Sequence, residues 1–486
     1  MTETTDNKKQ ATVFVSGMFN VLHPGHFRFL KYASGLGNKL IVGVLSDRIV
    51  PEVTIPQKER LQNLRSLDFI DEAFILDDDP EKFIEKTKPD IVVKGWEHHN
   101  EENPEKKILE SYGGKLFFSS GDINKTGFKS QDRTPHSIIK TIARPKGFIQ
   151  RHNFTVLSTL ELLEKFESLN VCVLGDIIID DYVDCQPVGM SREDPTIVVR
   201  PSETKRYLGG AGIVSAHAHS LGAQVHFISV CGDDEAGIFS AKKLKEYGVN
   251  AQVFTDESRP TTQKKRYRAS GKSMLRVNNY SDHPISETIS NKILEHINNI
   301  IYDLDVIIFS DFSYGVLPQR MVDTIIDIAN KHGIITAADS QTSSQTGNIT
   351  RFKEVSLVTP TEHEARTATK NYADGLVKLS DNIRNMTKAH NVIITLSEDG
   401  LFISGTDCDK NNVCEITNDR LPALVETAID PAGAGDALLV TSAMCLASGG
   451  SIWEAMFLGS IASAVQVSRV GNTPLELEII HEALTE

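Results

Sequence analysis

Two short stretches of the chain concentrate residues able to handle phosphate. In "GMFNVLHPGH", Gly17 to His26, an apolar run ends and a helical pattern begins at Pro24, so His23 and His26 can face one side of the first helical turn. A helix start leaves backbone N–H groups unpaired and carries partial positive charge. Two imidazoles placed there can donate hydrogen bonds to a triphosphate in its transition state without forming a covalent bond. In "DPAGAGDALLVTSAMCLASG", Asp430 to Gly449, the small residues Ala432, Gly433, Ala434 and Gly435 let the backbone approach an anion at the start of a long apolar helix. Asp436, in that helix's first turn, can take the proton from a hydroxyl as it attacks the γ-phosphate of ATP.

Further groups gather around each stretch. Lys31 continues the first helix, Arg60 lies in "PQKERLQNL", and Lys94 with Gly95 ends the strand-like "DIVVKG". Lys129 and Thr134 fall in "FKSQDRTPHSIIK", at the opening of another helix. Ligands of open α/β sheets collect at such strand and helix ends. In the C-terminal part, "VLGDIIIDDYV" puts Asp176 and Asp180 where carboxylates can accept hydrogen bonds from sugar hydroxyls. "TTQKKRYRASGKSMLR" holds six cations within 13 residues, and on a strand Lys264, Arg266 and Arg268 share one face. Two readings stay open: an edge strand guarded by charge, or a guanidinium clamp for a phosphate already on the sugar.

The elements that must position these groups read as two α/β units. Apolar runs "TVFVSG", "KLIVGVLS", "EAFIL", "DIVVKG" and "KLFFSS" alternate with amphipathic patterns, which predicts a parallel Rossmann-like sheet covered by helices over 12–146, after a disordered tail at 1–11. A linker and lead-in helix over 147–169 precede a second α/β unit at 170–486. Alternating segments between Tyr182 and Tyr280 predict a small antiparallel sheet projecting from it.

Composition narrows the chemistry further. A formal charge of −14 argues against general nucleic-acid binding, which needs broad basic surface, so an anionic ligand must be held by local cations. Six scattered cysteines without a Cys-x-x-Cys pair suit reduced, buried thiols. The polar start and the absence of an apolar run of about 18 residues predict a cytoplasmic protein with no membrane partner.

The segment from Gly17 to Leu30 resembles the H-x-G-H signature of the cytidylyltransferase-like nucleotidyltransferases, with Asn20 where that family commonly has Asp. The resemblance implies an NTP and a sugar phosphate giving an NDP-sugar and pyrophosphate with Mg²⁺. It implies phosphate and transition-state binding by His23 and His26, with Gly17, Phe19, Lys31, Arg60, Lys94, Lys129 and Thr134 around the nucleotide. "DPAGAGDALL" resembles the G-A-G-D signature of the ribokinase-like (PfkB) sugar kinases, and "LGGAGIVSAHAHSLGA" their glycine-rich segment. That resemblance implies Asp436 as base, the Ala432 to Gly435 amides as anion hole, and Asp176, Asp180, Gly209 and Gly210 at the sugar. "VTPTEHEA" resembles the N-x-x-E segment, with Thr361 for Asn and Glu364 organising the water shell of Mg²⁺. Ala432 and Ile213 replace the usual Thr and Asn.

The pairing of the two units resembles the bifunctional enzymes of ADP-heptose synthesis, in reversed order, since bacterial fusions usually carry the kinase first. It implies phosphorylation of D-glycero-D-manno-heptose 7-phosphate at O1 and transfer of AMP from ATP to the product. Two alternatives are a CTP-using enzyme acting on another sugar or polyol phosphate, and a sugar- or nucleotide-sensing protein with a degraded kinase half. The projecting sheet of related kinases often pairs, so a homodimer through it is a further expectation.

Overall fold

The computed structural model describes residues 11–20, 24–50, 55–65, 67, 69–95, 103–119, 142–143, 145–191, 193, 196–269, 272–342, 345–408, 414–425 and 428–485. His23, Lys129 and Thr134 fall outside them, as does most of the helix expected at "HSIIKTIARP". The chain divides into two compact units, Met1–Asp132 and Arg133–Glu486.

The first unit runs β1 (Thr12–Gly17), α1 (Pro24–Ser34), β2 (Lys39–Leu45), α2 (Gln57–Arg65), β3 (Glu72–Leu76), α3 (Pro80–Thr87), β4 (Ile91–Gly95), α4 (Pro104–Tyr112) and β5 (Lys115–Ser119). Its sheet has the order β3-β2-β1-β4-β5, and every pairing is parallel. The two-residue period of β1 splits its apolar residues between two cores. Val13 and Val15 pack with Leu30 and Ala33 of α1 and Leu64 of α2, while Phe14 packs oppositely with Ile84 of α3 and Leu109 of α4. The strand order reverses between β1 and β4, whose carboxyl ends frame the crevice where such sheets bind ligands.

The second unit begins with α5 (Lys146–Arg151) and α6 (Val156–Glu164), then β6 (Asn170–Gly175), β7 (Ile177–Met190), β8 (Ile197–Gly210), α7 (Ala211–Ser220), β9 (Gln224–Cys231), α8 (Glu235–Glu246) and β10 (Asn250–Thr255). It continues through β11 (Thr262–Ala269), β12 (Lys272–Asn279), α9 (Glu287–Ile300), β13 (Val306–Asp311), α10 (Gln319–His332), β14 (Ile335–Ser340), β15 (Leu357–Val358), α11 (Glu362–Thr369) and α12 (Leu376–Thr387). The closing elements are β16 (Asn391–Thr395), β17 (Leu401–Cys408), β18 (Cys414–Leu421), α13 (Ala434–Ala447), α14 (Ile452–Val467) and α15 (Leu477–Thr485). The main sheet has the order β10-β9-β6-β13-β14-β15-β16-β17-β18, parallel except for the last two pairings. β12-β11-β7-β8 form the separate sheet expected between the two tyrosines; one of its pairings, β11 with β7, is parallel.

Residues 147–169 do more than connect. Thr155 caps α6 through a capping box with Ser158, and Phe148, Leu163 and Phe166 are buried in the core under the main sheet. α13 is buried all round from Asp436 to Cys445, which explains why its sequence lacks a polar face. Cys172, Cys185, Cys231 and Cys445 are unpaired and buried. Among the described residues no helix is long and apolar enough to cross a membrane.

Candidate active site

In the first unit, Gly17 closes β1 and Lys94 lies near the end of the adjacent β4. Phe19 is buried with a φ of 46°, and its ring meets the half-buried His26 edge-on at 5.5 Å. A side chain at Gly17 would press on that ring at 3.1 Å, so this glycine makes room for Phe19. Lys31 is exposed on α1. The remaining two cations are engaged within the protein. Arg60 is fully buried and donates from Nε to the Ile55 carbonyl at 2.8 Å, from one terminal nitrogen to the Met18 carbonyl and from the other to Asp47 at 2.6 Å. It therefore braces the loop that follows β1 rather than presenting a free guanidinium. Lys94 donates to Glu105 at 2.8 Å, an ion pair linking the end of β4 to the start of α4.

In the second unit the long-range pairing of β7 with β11 builds the site. Register sets Lys264 opposite Asp180 and Arg266 opposite Tyr182. β11 is an interior strand, and Lys264 is buried with its ammonium 4.6 Å from the Phe312 ring centre and 5.4 Å from that of Tyr314. This excludes the reading of a solvated edge strand for Lys264. Arg266 lies 3.1 Å from Asp180 and, like Arg268, stacks over Tyr182.

Asp176 and Asp180, neighbours in sequence, diverge in role. Asp176 turns its carboxylate to the 312–316 loop, accepting backbone N–H groups of Phe312 at 2.7 Å, Tyr314 at 3.5 Å and Val316 at 3.4 Å. Burial, then the nearby Asp311, raise its pKa. Asp180 instead pairs with Arg266 and lies opposite Lys264 across the strand pairing, and its charge bears on Asp436. Gly209 leaves the space: a Cβ there would lie 2.5 Å from Asp180 Oδ2. Gly210 caps α7 and lies against the Asp176 carbonyl.

Asp436 sits in the first turn of α13, 5% exposed. Burial pushes its pKa up to about 6, helped by the Asp180 charge and opposed by hydrogen bonds from Gln341 and Asn472 and by Lys264. Gln341 Nε2 donates to Asp436 Oδ1 at 3.1 Å. Before it, Ala432 donates its N–H to Asp430 at 3.1 Å, Gly433 has a φ of 83°, and Gly435 faces open space. At Gly433 a Cβ would stand 2.4 Å from Asn472 Oδ1. Gly433→Ala is therefore expected to lower phosphorylation turnover about 10- to 100-fold and to destabilise the unit by about 1–3 kcal/mol, read by steady-state kinetics and thermal melting.

Glu364 is the third residue of α11 in a capping box with Thr361. It accepts from the Thr361 N–H and hydroxyl, each at 2.8 Å, and from the Thr342 N–H at 2.6 Å. Asp339 Oδ1 is buried without a hydrogen-bond partner. Burial raises the Asp339 pKa, with Glu364 and Asp436 adding to it. No three His, Cys, Asp or Glu among the described residues form a metal site by themselves. The unpaired Asp339 oxygen suits a Mg²⁺ ion held mainly by nucleotide phosphates and water.

Sequence reasoning passed over Asp339, Gln341, Asn472 and the links made by Tyr182 and Asp430. Asp339 had a signal, being an Asp near the carboxyl end of β14; Asn472 had none, since only folding brings its loop to Gly433.

A nine-stranded, mostly parallel sheet, a small projecting sheet and a glycine-flanked buried Asp at a helix start define a sugar kinase of ribokinase-like architecture. The chain belongs to the pfkB family of carbohydrate kinases, whose model matches residues 168–478. The cytidylyltransferase-like family model matches residues 14–118. Similar proteins include the bifunctional protein HldE of Helicobacter hepaticus, 32% identical over 310 residues covering 63% of this chain and 62% of that protein. HldE of Campylobacter fetus is 33% identical over 63% of this chain and 64% of its own length. The match thus spans less than two thirds of either relative. Escherichia coli phosphofructokinase-2 in complex with fructose-6-phosphate shares the fold, with a TM-score of 0.52 at 16% identity, covering 65% of this chain and 97% of that one. Arabidopsis thaliana ribokinase with ribose and ATP has a TM-score of 0.51 at 14% identity over 65% of this chain and 99% of that one.

Proposed function

We propose that this chain supplies two steps in making a nucleotide-activated sugar: ATP-dependent phosphorylation of a sugar phosphate at O1, giving a bisphosphate, and, after a separate phosphatase has hydrolysed the original phosphate, nucleotidyl transfer to the sugar 1-phosphate. The carrying observation is the buried Asp436, beside the Gly433 to Gly435 turn and within the electrostatic reach of Asp180 and Lys264. Asp436 takes the proton from the sugar hydroxyl as its oxygen bonds to the γ-phosphorus and ADP leaves. The amides of Ala432 to Gly435 hold charge on the transferring group, Asp180 orients the sugar, and Arg266 with Arg268 bind its existing phosphate. Mg²⁺, when bound, neutralises charge on the nucleotide phosphates; Asp339 would help to hold it, and Glu364 acts by ordering α11.

In the first unit, His23 and His26 donate to the α-phosphate while the sugar phosphate attacks in line and pyrophosphate leaves. Lys31, Lys129 and Thr134 are assigned to the phosphates by the same reading, with Lys94 and Gly17 at the strand ends. Arg60 supports the loop that carries Phe19. The bifunctional relatives, and the presence here of both family segments, support heptose 7-phosphate as sugar and ATP as nucleotide donor. A homodimer through the projecting sheet and a cytoplasmic location belong to the same proposal.

Incubating the purified chain with ATP and D-glycero-D-manno-heptose 7-phosphate, and separately with the heptose 1-phosphate and either ATP or CTP, tests it by mass spectrometry. Heptose bisphosphate alone is expected if the 7-phosphate is retained through the first step, and ADP-heptose then requires a phosphatase acting between the two steps. CDP-sugar formation would replace ATP by CTP, and nucleotide binding without any turnover would overturn the enzyme reading.

A further inference from the structure

One hydrogen-bonded chain joins the basic strand to the loop that precedes Asp436. Arg266 donates to the Tyr182 hydroxyl at 2.5 Å, and that hydroxyl donates to Asp430 Oδ2 at 3.1 Å. The same Asp430 oxygen accepts the Gly471 N–H at 3.1 Å, while its Oδ1 accepts the Ala432 N–H at 3.1 Å. Gln466 Nε2 completes the brace by donating to the carbonyls of Ala432 at 3.1 Å and Gly471 at 3.2 Å. A second contact runs parallel to it: Tyr182 meets Tyr207 edge-on at 5.3 Å, and Gly471 lies so close beneath Tyr207 that a Cβ would be 2.5 Å from its ring. Tyr182 is 5% exposed, so its hydroxyl has little access to water as a substitute partner.

We propose that Tyr182 is a positioning residue that couples occupancy of the Arg266–Arg268 site to the geometry of the 430–435 loop. Resting on the reading that those arginines hold the sugar's phosphate, the device works through charge and hydrogen-bond direction. An anion on Arg266 fixes that guanidinium, which holds the Tyr182 hydroxyl with its proton toward Asp430. Asp430 then keeps the Ala432 amide and the Gly471 loop where the nucleotide phosphates will lie. Bound sugar phosphate therefore favours nucleotide binding, and by linkage the nucleotide favours the sugar phosphate to the same degree.

The test is calorimetry on the full chain with Mg²⁺ and a non-hydrolysable ATP analogue, with and without saturating heptose 7-phosphate. In the wild type the sugar phosphate is expected to tighten nucleotide binding about 10-fold. Tyr182→Phe keeps the ring under both arginines but removes the link, so the enhancement should fall below about 2-fold. Its turnover should drop while the Kd for heptose 7-phosphate alone moves little. Asp430→Asn, which places an amide against three donors, should abolish the coupling too and weaken nucleotide binding in both conditions. An undiminished enhancement in Tyr182→Phe, or no enhancement in the wild type, overturns the inference while leaving the substrate reading intact. Failure of the wild type to bind heptose 7-phosphate overturns both.

Discussion

Asp436→Asn is expected to reduce sugar phosphorylation by about 10³-fold or more while nucleotidyl transfer to supplied sugar 1-phosphate stays at the wild-type rate. The amide keeps the oxygen that accepts from Gln341 but cannot take a proton. In the wild type, a base with its pKa near 6 makes kcat/KM for phosphorylation fall about tenfold per pH unit below that value. The same shift has a consequence for stability. Relative to an ordinary carboxyl near 3.8, the folded-state pKa is raised, so the group's contribution is complete below pH 4 and is lost as pH rises through about 6. The neutral Asn removes that cost at pH 7–8, and the variant should be more stable than the wild type by about 1–3 kcal/mol, a gain that vanishes toward pH 4. A thermal melt across pH reads this directly. Equal loss of both activities in this variant would sink the two-site assignment.

His26→Ala should give the complementary result, lowering nucleotidyl transfer by about 10²–10³-fold and leaving sugar phosphorylation unchanged. His26 lies in the first turn of α1 against Phe19, so the truncation removes a hydrogen-bond donor at a helix start and a ring that packs on a buried aromatic. Binding and chemistry separate in the kinetics: loss of the donor lowers kcat, whereas loosened packing of Phe19 raises the KM for nucleotide. Pyrophosphate release from ATP and sugar 1-phosphate measures both. Retained transfer at the wild-type rate would remove His26 from the transition state.

Both units were readable as α/β because their strands are buried on two faces and therefore written as continuous apolar runs such as "VCVLG" in β6. The helix start at Asp436 was readable because small residues that permit a tight turn are followed there by a long apolar run. The basic strand was read as a cluster, but its character depended on neighbours. Whether β11 is an edge or an interior strand is decided by its pairing with β7, from which it is separated by some eighty residues of chain. That pairing buries Lys264 against Phe312 and Tyr314 and sets Arg266 on Tyr182.

Arg60 and Glu364 teach the converse lesson. Their types suit phosphate and magnesium, yet the fold turns Arg60 onto two carbonyls and Asp47 and spends Glu364 on a capping box. A side chain's donors and acceptors are visible in sequence; which partners consume them is set by backbone brought in from elsewhere. Local patterning determined the kind of fold and the residue types able to move phosphate, because period and helix-start chemistry act over a few residues. Tertiary structure alone decided that Asp176 turns to the 312–316 loop while the Asp180 charge bears on Asp436, that Asn472 stands over Gly433, and that Asp430 ties Tyr182 to the loop before Asp436. Those contacts join segments distant in the chain, Tyr182 and Asp430 by 248 residues, and burial, which raises the Asp436 pKa, exists only once they close.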